Sequence, residues 1–190
     1  MMHTLVELDH QLFLYLNNLG SRTWDVFWVF ITEKETSYPL YAVFLFLCYK
    51  HYGLKGLGTI MITVALMITV TDQLSNLFKD TIMRPRPCNE DFMMQARFVA
   101  KRCGDFGFFS GHAVSSFAVV FFIGNLLKNK VKYIFTFLLI WGFVIAYSRI
   151  YVGVHYPGDI IVGALFGTII GTLFYKLNVW ARKKMNLTKA

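Results

Sequence analysis

After residue 35, apolar residues fall in five blocks, at about residues 36–49, 54–79, 110–127, 133–149 and 158–180. A helix needs about 20 apolar residues to cross a bilayer, so the first block is short and the others are near that length. Backbone in lipid must satisfy its own hydrogen bonds, and open strands cannot do so, which makes helices the expected form of all five. Before them, Leu5, Leu8, Leu12, Tyr15 and Leu16 recur at helical spacing, with Glu7, Asp9, His10 and Asn17 on other faces. That pattern predicts an amphipathic helix lying in the membrane interface. Residues 24–32 are apolar but too short to span, and Trp24 and Trp28 suit the membrane–water boundary. Met1 to Thr4 has no Lys or Arg, and acids interrupt the following apolar residues, so no signal peptide is expected. The expected fold is all-α: a polytopic transmembrane bundle of about five spans, with interfacial helices over residues 1–35 and a core over residues 36–181, in one domain of 1–190. In the last span Gly163, Gly167 and Gly171 form a stripe of small residues suited to close helix packing.

Composition supports this reading. Hydrophobic residues make up 56% and charged residues 16% of the 190, with a mean hydropathy of +0.49. Such a chain has too little polar surface for a soluble globule and too much apolar content for a disordered segment. The net charge of +8 suggests nucleic acid only until its placement is considered. Past residue 105 the one acid is Asp159, whereas Lys128, Lys130, Lys132, Lys176, Arg182, Lys183, Lys184 and Lys189 lie in one loop and at the C-terminal end. No base-reading motif accompanies them, so nucleic acid is not an expected partner. With Lys50, His51 and Lys55 they read instead as cytoplasmic flanks of spans. Alternating crossings then put residues 79–109 and the turn at 149–157 on the opposite side.

The polar residues within that framework are few and clustered. Asp72, Asn76 and Lys79 are spaced to share one helix face, with Ser75 beside them. The chain continues as Arg84-Pro85-Arg86-Pro87, where prolines end the helix. Ser110-Gly111-His112 opens the third long block. Ser148-Arg149 closes the next, and His155-Tyr156-Pro157-Gly158-Asp159 opens the last. The topology brings these clusters to one membrane face. Cations, a serine, two histidines and two helix N-termini suit an anion, and arginine grips phosphate bidentately. His155 and Asp159 are one helical turn apart, so the carboxylate can fix the imidazole tautomer.

These residues resemble the type 2 phosphatidic acid phosphatase superfamily, which includes membrane lipid phosphatases and vanadium haloperoxidases. The first family motif, Lys-six residues-Arg-Pro, matches Lys79, Arg86 and Pro87. The second matches Ser110, Gly111 and His112, with Phe109 in place of a proline. The third matches Ser148, Arg149, His155 and Asp159. The resemblance implies that His155 is a phosphoryl-accepting nucleophile, that Asp159 orients it, and that His112 protonates the leaving oxygen. It implies that Lys79, Arg86, Ser110, Gly111 and Arg149 bind phosphoryl oxygens. Three fixed cations supply the charge stabilisation of phosphoryl transfer, so neither a metal nor another cofactor is expected. The implied partners are the bilayer and a membrane lipid phosphate, with no obligate protein partner. Undecaprenyl diphosphate leads, followed by phosphatidylglycerophosphate, phosphatidic acid and lipid A phosphates. The expected location is a bacterial inner membrane with the site facing the periplasm or exterior. A soluble-type haloperoxidase fits poorly with the spans, and a transporter with a polar cluster at one face.

Other residues have plainer readings. Asp72 and Asn76 are expected to orient Lys79 or to bond between helices. Arg84, outside the motif, reads as a headgroup-level charge. His3, His10 and His51 read as surface histidines, Trp180 as an inner-interface residue and Cys48 as a buried small hydrophobe. Cys88 and Cys103 share the predicted outer loop. In an oxidising compartment they can form a disulfide over the site, and otherwise they are free thiols.

Overall fold

A computed structural model describes residues 2–187. His3 and Lys189, read above as a surface histidine and a tail cation, lie outside the described side chains. Six α-helices follow in order: α1 Met2–Asn18, α2 Arg22–Thr32, α3 Tyr38–Ile82, α4 Gly111–Leu127, α5 Ile134–Tyr151 and α6 Pro157–Lys184. Short 3₁₀ turns occupy Lys34–Ser37, Pro87–Asn89 and Asp91–Gln95. The described residues contain no strand, only one isolated bridge between Pro85 and Phe106.

α3 has 45 residues, about 68 Å at 1.5 Å per residue and over twice a bilayer core. It is a helical hairpin broken at Gly53, whose φ of 66° and ψ of −179° lie where a side chain is strained. The contacts give the reversal. The first arm, residues 38–52, begins near Thr32 and ends where the Tyr52 hydroxyl donates to Leu126 O at 2.5 Å. The second arm begins where Asn178 donates to the Thr63 hydroxyl at 2.9 Å and ends with Lys79 beside Gly111. The two arms with α4, α5 and α6 make five antiparallel passes, as the apolar blocks predict. Lys50, Lys55, Lys128 and Lys183 lie at the Gly53 end, while Lys79, Ser110 and His155 lie at the other.

α4 is the core helix. Its residues from Ala113 to Leu127 are almost all buried, and its main partner is α6. The glycine stripe makes that contact possible. A Cβ on Gly163 would stand 2.8 Å from Ser110 O, and one on Gly167 or Gly171 would meet the carbonyls of Val114 or Ala118 even more closely. Successive α6 glycines therefore rest on successive turns of α4. Trp141 packs against Tyr41 of the first arm, centroids 6.3 Å apart, which accounts for its mid-span position.

α1 is amphipathic, but its two faces are used in the membrane sense. Leu5, Leu8, Leu12 and Tyr15 are exposed, whereas Phe13 and Asn17 are fully buried against the bundle. The Asn17 amide nitrogen lies 3.0, 3.0 and 2.9 Å from the carbonyls of Arg97, Ile150 and Tyr151, and its oxygen accepts from Arg97 N at 2.6 Å. His10 is not the free surface residue expected from its lack of a partner pattern. It stacks on Tyr156 at 4.9 Å and lies 5.0 Å from Phe92.

Candidate active site

The motif residues converge at the end of the bundle opposite Gly53. Local sequence sets each part. Met83, in left-handed backbone, and the prolines after it end α3. The strand-like pairing of Gly107 N to Arg84 O at 2.9 Å and of Arg86 N to Asp105 O at 3.2 Å then folds the α3–α4 loop back over the site. Cys88 and Cys103 are joined as a disulfide in this loop, with Cα atoms 6.2 Å apart. Ser110 is the N-cap of α4, its Oγ accepting from Ala113 N at 3.4 Å. Phe109, in the position of the family proline, is fully buried and stacks on Phe166 at 5.1 Å.

The turn between α5 and α6 carries His155. Gly153 takes a φ of 86° with the Arg97 carbonyl 2.7 Å from where its Cβ would be, so the close return of the turn needs a glycine. Pro157 starts α6, and Asp159 in its first turn accepts from Tyr156 N at 3.1 Å. The same oxygen, Oδ2, stands 3.2 Å from His155 Nδ1. Asp159 thus caps its helix and holds the imidazole at once. His155 and Asp159 are both buried.

The cations surround this pair. Arg86 Nε donates to Phe106 O at 3.0 Å, and its side chain passes beside Gly107, which adjoins both His155 and Asp159. Arg149 Nη1 donates to the Thr32 hydroxyl at 2.7 Å, while its buried Nε has no protein partner. The Lys79 ammonium lies 3.7 Å from an ideal Cβ on Gly111. His112 lies in the first turn of α4, two residues after Ser110, and is partly buried. Burial first, then the charges of Arg86, Arg149 and Lys79, hold the His155 imidazole well below its usual 6.5, against the opposing bond to the Gly107 backbone. His155 is therefore neutral at physiological pH, with Asp159 as its hydrogen-bond partner.

Several residues take places that the sequence did not announce. Asp72 and Asn76 are exposed and make no side-chain hydrogen bond among the described residues, so neither bonds between helices. Ser75, one turn before Lys79, is the buried neighbour, 3.4 Å from Phe109 O. Thr32 of α2 reaches both Ser148 and Arg149, the former at 3.0 Å. Arg84 is no headgroup-level charge: its guanidinium bridges Asp159 Oδ1 at 2.9 Å and Asp9 Oδ2 at 2.7 Å. The doubled Arg-Pro was the one sequence signal for Arg84, and nothing local pairs it with α1. Among the described residues no group of three His, Cys, Asp or Glu side chains is placed to hold a metal ion.

Large apolar residues such as Ile62, Leu66, Ile161, Leu165 and Ile169 are exposed along the bundle below this rim of cations. A lipid can keep its tail against such a surface while its charged head reaches the rim. The chain belongs to the PAP2 superfamily, whose pattern matches residues 56–183, and it is a membrane lipid phosphatase. A lipid A 4'-phosphatase of Bacteroides thetaiotaomicron is 35% identical over 92% of this chain and 79% of the relative. An undecaprenyl-diphosphatase of Sulfolobus acidocaldarius is 29% identical over 86% of this chain and 75% of its own. Among solved structures, Aquifex aeolicus LpxE superposes with a TM-score of 0.67 at 28% identity, covering 89% of this chain and 95% of that one.

Proposed function

We propose that the enzyme removes a phosphate from lipid A, or from a similar phosphorylated glycolipid, through a phosphohistidine on His155. The observation that carries the reaction is the buried His155–Asp159 couple set among Lys79, Arg86 and Arg149. A carboxylate at Nδ1 keeps the proton there and leaves the Nε2 lone pair for phosphorus. Attack forms the P–N bond and breaks the P–O bond to the lipid. The electron pair leaves on the lipid oxygen, which takes a proton from His112. Water then attacks phosphorus and gives a proton back to His112, and cleavage of P–N releases inorganic phosphate and neutral His155. Lys79, Arg86, Arg149, the Ser110 hydroxyl and the Gly111 amide hold the phosphoryl oxygens through both steps. Phosphoryl transfer asks mainly for such positioning and charge stabilisation, so turnover in EDTA is expected.

The substrate rests on similarity. The 35% identity to a lipid A 4'-phosphatase supports a lipid A phosphate over undecaprenyl diphosphate, the lead that the family resemblance implied. Undecaprenyl diphosphate is the second reading, supported by the 29% relative. The lysines at the Gly53 end support a cytoplasmic placement of that end, in a bacterial inner membrane, with the site facing the periplasm. A disulfide at the site end agrees with an oxidising compartment.

The test is phosphate release by detergent-purified enzyme, in EDTA, from lipid A, undecaprenyl diphosphate, phosphatidylglycerophosphate and phosphatidic acid. His155→Ala should lower kcat by more than about 10³-fold, in line with loss of a nucleophile. Near-normal turnover by that variant would exclude the phosphohistidine. A preference for undecaprenyl diphosphate would promote the second substrate reading.

A further inference from the structure

Outside the matched motifs, one charged network touches the site. Arg84 places Nη1 2.9 Å from Asp159 Oδ1 and Nη2 2.7 Å from Asp9 Oδ2. The other oxygen of Asp9, from α1, accepts from Gly158 N at 2.7 Å, in the first turn of the helix that carries Asp159. The guanidinium carbon also stands over the Tyr156 ring, 3.9 Å from its centre, and the Arg84 backbone oxygen accepts from Gly107 N beside His155. Both terminal nitrogens thus already donate to carboxylates, and the Arg84 side chain is only 19% exposed. Asp159 is fully buried and has one oxygen for Arg84 and the other for His155 and Tyr156 N.

We propose that Arg84 and Asp9 are positioning residues for catalysis: Asp9 clamps Arg84, Arg84 fixes the rotamer of Asp159, and Asp159 aims His155 at phosphorus. The interfacial helix α1 is then a working part of the site and more than a membrane anchor. The fork geometry matters, because a guanidinium can bridge two carboxylates in one plane whereas an ammonium cannot. Without the bridge the Asp159 carboxylate turns, and an error of about 1 Å in the aim of a reacting group costs on the order of 10²-fold. The inference rests on His155 as the nucleophile.

The experiment compares Arg84→Gln, Arg84→Lys, Asp9→Asn and Arg84→Gln/Asp9→Asn in the purified full chain, with His155→Ala alongside and thermal melting as a folding control. Arg84→Gln should lower kcat about 10²-fold with KM within about threefold of wild type. Arg84→Lys should recover part of the loss. Asp9→Asn should lower kcat less, and the double variant should be no slower than Arg84→Gln, because the two residues act through one carboxylate. A merely structural pair would give losses that multiply and follow the fraction of folded protein. Wild-type kcat in Arg84→Gln overturns the proposal, as does a raised KM at unchanged kcat, which would make Arg84 a substrate ligand. If Arg84→Gln does not fold, wild-type kcat in Arg84→Lys and Asp9→Asn overturns it equally. Activity surviving in His155→Ala defeats the nucleophile itself, a separate outcome from neutrality at Arg84.

Discussion

Thr32 shows how a single uncharged side chain can serve the site. Its hydroxyl holds Arg149 at 2.7 Å and Ser148 at 3.0 Å, 117 and 116 residues away in the chain. A hydrogen bond to a charged group contributes about 1.5–3 kcal/mol, so Thr32→Val should lower kcat/KM roughly tenfold or more while retaining the residue's volume. Steady-state kinetics on the preferred lipid will show it. His155 makes a pH prediction at the same scale. Burial and three neighbouring cations lower its pKa, so the neutral imidazole persists as the pH falls. The acid limb of kcat/KM attributable to this residue should therefore lie below the value of about 6.5 of a free imidazole. A limb at or above that value in a pH series would show that His155 is not held in the environment described.

At the scale of elements, the α4–α6 contact is the most demanding. Three α6 glycines spaced four residues apart, Gly163, Gly167 and Gly171, rest on the carbonyls of Ser110, Val114 and Ala118. Gly167→Val would drive a branched side chain into Val114 O, and overpacking of this kind costs about 1–3 kcal/mol. A lower melting temperature in detergent, with loss of activity as α6 moves Asp159, is the expected result. α1 is held differently, through Asn17, whose fully buried amide satisfies backbone oxygens of the α3–α4 loop and of α5. Asn17→Ala leaves those groups unpaired, at about 1–3 kcal/mol for a buried loss. It should loosen α1, read as faster proteolysis of the N-terminal helix in the purified protein. The apolar spacing of α1 was legible in the sequence. Which face met protein was not, because in lipid the apolar stripe can face outward and the polar residues inward.

At the scale of the whole molecule, five antiparallel passes place two chemically different ends on one bundle. One end collects the loop lysines, and the other collects the site and the disulfide. The Cys88–Cys103 link closes a loop of 15 residues over the catalytic end, and such a link is worth about 3 kcal/mol in the chain-entropy model. Reduction, or Cys88→Ser with Cys103→Ser, should lower the melting temperature. Thiol labelling of unreduced, denatured protein should find one free cysteine, Cys48.

The number of passes, their helical form and the residues of the three motifs follow from the sequence, because hydrophobic block length, proline stops and fixed local spacing are properties of consecutive residues. His155 and Asp159 needed only one turn of helix to meet. The sequence also held the glycine stripe, as a pattern of spacing. Arg84 with Asp9, Thr32 with Arg149 and Asn17 with the α5 carbonyls were decided by tertiary structure alone. Each joins residues 75 to 134 positions apart, and no local periodicity records which distant groups will share a buried bond. Their partners are set by how α1 and α2 close over the end of the bundle, where burial makes an unpaired polar group costly and so selects the one arrangement that satisfies them together.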